Sequence, residues 1–181
     1  MVVQLREIIG HCAGIERTIA EIYASFAERW PQLPFGELWR ELANEELVHG
    51  ALLDNAARLP AAKQEEASID ASKLKTIRDR VVKRFPTLRT TLDQAFHTAL
   101  DLEELELGNI YRRLLALTTD DSRMSSTFRT ALSQYSHHEE RLLAAIEEHG
   151  KDPSLLGRAI QARKRLVRRG AADSRVRVSK A

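Results

Sequence analysis

The stretch NEELVHG, residues 44–50, sets Glu46 and His49 three positions apart. In a helix this spacing stacks a carboxylate and an imidazole one turn apart on one face, where both can bind the same cation. Taken alone, the pair has a plainer account: a core histidine satisfied by a neighbouring carboxylate. The rest of the chain has to decide between the two.

Stepping by three or four from Leu38 gives Leu42, Glu46, His49 and Leu53, so the pair interrupts an apolar stripe. A second stripe runs through Phe96, Leu100, Glu104, Leu107, Tyr111 and Leu114, and a third through Phe128, Leu132, Tyr135, His138 and Leu142. Glu16 sits beside Ile15 on a face that continues through Ile19 or Ala20 to Tyr23. Glu45, Glu103 and Glu106 fall off these stripes and read as solvent-facing. A buried carboxylate without a partner is costly and tends to take up a proton. Glu16, Glu46, His49, Glu104 and His138 at one level of a bundle would resolve that cost by coordinating cations. Carboxylate and imidazole donors suit iron, manganese or zinc. A metal-free polar core is the alternative.

Four long helices must hold these residues. The first spans about Leu5–Arg29 and stops before Trp30-Pro31. The second runs from Pro34 to near Leu59-Pro60, and residues 61–72 read as linker. A short helix carrying Leu74, Ile77 and Val81, capped by Asp70 or Ser72, ends at Phe85-Pro86 on the crossover to the third helix, about Leu88–Leu117. TTDD at 118–121 precedes the fourth, about Ser122–His149, with Gly150 closing it in the C′ role. Each main helix spans ~37 Å, so the four can pack side by side. The short, long, short order of connections matches a four-helix bundle with one long crossover, the ferritin-like version. The fold expected is therefore all-α, with the bundle over residues 1–150 and a basic helical or flexible extension over 151–181.

Composition agrees. The chain is 43% hydrophobic and 30% charged with few Gly and Pro, which favours helices over strands. Cys12 is the single cysteine, so neither a disulfide framework nor a four-cysteine iron centre is available. A buried core role suits it one turn before Glu16. No signal peptide or run of 18 apolar residues is apparent, so a cytoplasmic protein without integral membrane association is expected. Residues 151–181 carry ten Lys or Arg against two Asp, and the net +2 of the chain therefore hides an acidic bundle. The segment SLLGRAIQARKRLVRRG reads as a fifth, basic helix with an irregular seam of Leu155, Ile160 and Leu166, before VRVSKA tapers into disorder. This tail is a solvated extension that helps solubility, docks on its own acidic bundle, or meets a protein or polyanion.

Together these segments make the chain resemble the rubrerythrin-like branch of the ferritin-like di-iron carboxylate superfamily over residues 1 to about 150. Glu16 precedes Tyr23 by seven residues, and Glu104 precedes Tyr111 by seven; both look like that family's ligand Glu followed two turns later by a core-side Tyr. Glu46 and His49 match its second-helix Glu-x-x-His, and His138 matches its fourth-helix His. Three positions before His138, where the family has Glu, this chain has Tyr135. The departure leaves three outcomes: a two-metal site completed by water, a one-metal site, or recruitment of His11 or Glu139. Tyr135 itself would ligate metal, bond a bound oxygen species, or fill the core. Tyr23 and Tyr111 would bond ligand carboxylates or simply pack.

The resemblance implies two iron ions and oxidation of ferrous iron or reduction of peroxide. Peroxide reduction would require an external electron donor. Storage or delivery without turnover, and a metal-free interaction bundle, are the rival functions. Ferritin-like bundles often pair along their first two helices, and Phe26, Trp30, Phe35 and Trp39 cluster at that turn, so a homodimer is expected.

Overall fold

Pro31 breaks the first long apolar stripe, and the chain reverses there. The computed structural model describes the backbone of residues 3–31, 34–58, 66–67, 71–104, 114 and 122–178; within its helices, the side chains of 71–73, 122–124, 127, 131–136 and 166–178 fall outside that description. Helices α1 (Leu5–Arg29) and α2 (Pro34–Arg58) flank the turn with the expected bounds. A Cβ on Gly36 would lie 2.3 Å from the Trp30 carbonyl oxygen, so only glycine lets α2 begin this close to the end of α1. The two helices then form the most extensive pairing among the described residues. At Gly50 an added Cβ would meet Arg17 Cγ at 3.3 Å and the Ala13 carbonyl at 3.4 Å, which shows how close they run beside His49.

Two-residue strands β1 (Val3–Gln4) and β2 (Glu66–Ala67) pair antiparallel and tie the start of α1 to the crossover. The crossover then forms α3 (Ala71–Val82), which lays Leu74, Ile77 and Val81 against α1. The next helix, α4 (Leu92–Glu103), starts four residues later than expected, because Thr90 N–H bonds the Thr87 carbonyl in a turn. Thr91 and Gln94 then form a reciprocal capping box that sets the start of α4. Helix α4 ends at Glu103 with Glu104 as its C-cap, short of the expected course to about Leu117; of residues 105–117 only Leu114, helical and buried, is described.

Helix α5 (Ser122–His149) matches the expected fourth helix. Gly150 follows it, with N–H bonded to the Ile146 carbonyl at 2.8 Å, yet its φ is not positive. Its smallness has another cause: a Cβ there would lie 2.6 Å from that same oxygen. Asp152 starts α6 (Pro153–Val178), its Oδ1 accepting from Ser154 N–H at 2.8 Å. The backbone of α6 is helical to Val178, further than the sequence pattern suggested. Its inner seam is Leu155, Ala159 and Ala162, all buried in the common core, while Ile160 faces outward.

The fold is thus all-helical among the described residues, with six helices and one short ladder. Tyr23, Phe26, Trp39, Phe96 and Phe128 are fully buried, and each such side chain contributes about 1.5–3 kcal/mol by leaving water. The aromatic cluster at the α1–α2 turn is corrected from the sequence reading: Phe26, Phe35 and Trp39 pack inward on Tyr23 and Phe96, and Trp30 is part-buried against them. They leave little aromatic surface there for a second copy. Among the described residues no helix is long and apolar enough to cross a membrane.

Candidate metal centre

The geometry begins with one turn of α2. His49 Nδ1 lies 3.0 Å from Glu46 Oε2, and the other carboxylate oxygen, Oε1, lies 3.1 Å from His138 Nδ1 on α5. A carboxylate only accepts, so each ring presents Nδ1–H to Glu46. The two rings stand 5.2 Å apart, centroid to centroid. All three residues are buried, and one donor atom from each lies within 4.8 Å of the others. Burial alone would push the Glu46 carboxyl up, but the hydrogen bonds from His138 and His49 outweigh it and hold Glu46 well below the usual carboxylate range.

His138 is gripped from both sides, because its Nε2 pairs with Glu45. Burial works against its charged form, yet the Glu46 bond and the charges of Glu46, Glu103 and Glu45 together raise its pKa. Glu45, expected in solvent, is instead half-buried between His138 and Arg141, and Arg141 reaches on to Glu41 at 3.0 Å. A step of 100° off the stripe was read as exposure; α5 covers that flank.

Further acids crowd this point. Glu16 on α1 is fully buried, and its side chain hydrogen-bonds Glu46. One turn earlier the Cys12 thiol is also sealed, and burial followed by the charge of Glu16 pushes it far above its ordinary value.

On α4 the sequence reading placed Glu104 inward and Glu103 outward, and the structure has the reverse. The Glu104 carboxylate is exposed and bonded to Arg158 at 2.9 Å and Arg165 at 2.5 Å. Glu103 Oε1 accepts from the Tyr23 hydroxyl at 2.9 Å, and its Oε2 is buried with no hydrogen-bond partner among the described residues. The register explains the error: at about 100° per residue, seven steps from Phe96 return to within about 20° of its direction, whereas eight overshoot by about 80°. Burial pushes the Glu103 carboxyl up to about 8, reinforced by the charges of Glu46 and Glu139 and opposed by His138 and the Tyr23 bond.

Of the residues singled out from sequence, Glu16, Glu46, His49 and His138 meet in the interior, and Tyr23 reaches the same place through Glu103. Tyr111 lies outside the described residues, and Tyr135 lies on α5 with its side chain outside them. Between the two residues considered as replacements for the fourth-helix Glu, Glu139 is buried near Glu103, while His11 is exposed and stands 3.8 Å from Glu7. Glu103 and Glu45 were missed; for Glu103 the signal was available in the angular position.

No protein-family model, curated protein or solved structure matches the chain.

Proposed function

We propose that this chain is a metal-dependent protein of the ferritin-like, rubrerythrin-like kind that binds iron and acts on ferrous iron or peroxide. The observation that carries this reading is the buried cluster of Glu46, His49 and His138, one carboxylate and two imidazoles from two helices with donor atoms within 4.8 Å. That composition is the one non-haem ferrous sites use, and it also accommodates manganese or zinc. Glu16, Glu103 and Glu139 bring further carboxylates beside it, an excess of buried acid that a second cation would balance. Glu103 takes the place that the sequence reading assigned to Glu104.

A bound iron would supply one-electron redox chemistry toward dioxygen or peroxide. The chain's own part is to hold protons and exclude water. His138 and Glu103 both hold a proton more tightly than the free groups, so cation binding there would be coupled to proton release. Tyr23 fixes the Glu103 carboxyl by donating to Oε1. Glu45 and Arg141, half-exposed above His138, stand at the solvent side of the cluster. Peroxide reduction consumes two electrons, and with Cys12 sealed and alone a separate protein or small donor would have to deliver them.

Anaerobic titration of the purified chain with ferrous iron, followed by metal counting and anomalous scattering at the iron edge, tests the reading. Two retained ions at the named residues, then faster iron oxidation with peroxide than in buffer, support it. Retention without turnover would shift the assignment to storage or delivery. A chain that retains no iron, manganese or zinc is a structural bundle, and the proposal fails.

A further inference from the structure

The turn that follows α3 combines two properties that soluble surfaces keep apart. Val82, Phe85 and Leu88 are 51%, 41% and 93% exposed, and they make up half of the exposed large hydrophobic residues among the described part of the chain. The same stretch is strongly basic: residues 71–91 hold seven Lys or Arg against a single Asp, a net +6 separate from the basic tail. Lys75 is paired with Asp79 and Arg84 with Asp101. Arg78, Arg80, Lys83 and Arg89 are exposed and form no ion pair among the described residues. Against them on this stretch stands the single carboxylate of Asp79, so the turn keeps an excess of positive charge.

The apolar tip is built, not loose. Pro86 limits the backbone, Thr87 N–H donates to Thr90 Oγ1 at 2.8 Å, and Thr90 N–H donates to the Thr87 carbonyl. From α1, Arg29 reaches across and donates to the Leu88 carbonyl at 2.6 Å, while its guanidinium lies over the Trp30 ring. Behind the tip, α3 is anchored by Leu74, Ile77 and Val81. A fixed turn that projects a leucine clear of its neighbours needs little further ordering to engage a partner.

We propose that this turn is a docking site for an anionic lipid surface, with Phe85 and Leu88 entering the interfacial layer and Arg78, Arg80, Lys83 and Arg89 meeting the headgroups. A projecting apolar tip ringed by cations suits a soft, negatively charged layer. A phosphodiester backbone would use the cations but leave Val82 and Leu88 without a role. A second copy of the chain would have to seat the tip in an apolar groove such as the one that Ala20, Ala24, Ala27 and Leu47 line between α1 and α2, and loss of self-association in a tip variant would reveal it. The attachment is peripheral and requires no spanning helix.

Sedimentation of the full chain with vesicles of phosphatidylcholine, alone or with about 30% phosphatidylserine, tests the proposal. Binding is expected only with phosphatidylserine, and it weakens as salt rises. The double variant Phe85→Ser, Leu88→Ser should lower affinity about tenfold with unchanged helical circular dichroism, since both side chains are substantially exposed. Lys83→Glu with Arg89→Glu should abolish binding. No vesicle binding at low salt would overturn the proposal. So would binding that ignores the serine substitutions, which would assign it to the tail or to bulk charge. A serine variant that instead loses self-association, or an RNA oligomer that binds while vesicles do not, would transfer the surface to a second copy or to nucleic acid and equally defeat it.

Discussion

Tyr23 donates to Glu103 across 2.9 Å, linking α1 to α4 next to the buried Glu46 carboxylate. The native Glu103 carboxyl titrates near 8 against 4.5 for the free group, so the folded state binds more protons than the unfolded one between these values. Its contribution is therefore most favourable below 4.5 and is lost as pH rises toward about 8. Glu103→Gln mimics the protonated acid. In metal-free protein it should raise the melting temperature at pH 8 by several degrees and change it little at pH 5. The same variant should bind fewer metal ions. Differential scanning calorimetry with metal analysis reads both, and a destabilised variant at pH 8 would contradict the burial argument.

Metal uptake should be sharply pH-dependent. His138 holds its proton more tightly than a free imidazole and must release it before either ring nitrogen can ligate. Iron or zinc affinity should thus fall as pH drops below neutrality, with protons released on binding. Calorimetric titration in buffers of different ionisation enthalpy counts them. His138→Ala should weaken binding by more than about 100-fold, beyond the loss expected when only an outer hydrogen-bond partner is removed.

Glu104 and Glu103 are neighbours with separable roles. Glu104→Gln should leave metal content unchanged while weakening the attachment of α6 through Arg158 and Arg165, an effect of about 0.5–1 kcal/mol for such exposed pairs. Hydrogen exchange along 153–165 would report faster opening. If Glu104→Gln removes metal and Glu103→Gln does not, the register described for α4 is wrong.

Cys12 should resist thiol reagents in the native state. Burial and the adjacent Glu16 disfavour its thiolate, the reactive form. Labelling by a chromogenic disulfide should be slow in buffer and immediate in denaturant. Rapid native labelling would show that the region around Glu16 opens to solvent.

The long helices were legible because their punctuation is strong. Pro31 and Pro34 bracket one turn and Gly150 ends α5, so α1, α2 and α5 follow the bounds that the pattern suggests. The Glu46, His49 and His138 cluster was legible for the same reason, as polar residues inside long apolar stripes. On α4 the stripe was counted in steps of four, and that small angular excess exchanged Glu103 for Glu104. The seam of α6 was obscured because Ala159 and Ala162 pack well yet carry little hydrophobic signal. Glu45 could be placed only once α5 was known to lie over it.

Glu46 and His138 are partners separated by 92 positions in the chain. A ribosome adding ~5–20 residues per second releases the second roughly 5–20 s after the first. During that interval α1 and α2 can already pair, but Glu46 lacks one of its two imidazoles and the aromatic face awaits Phe96. The nascent hairpin is thus an unfinished object with a carboxylate and rings open to water. Translation stalled before α5 would leave a chaperone client, because the second imidazole that satisfies Glu46 has not yet been made.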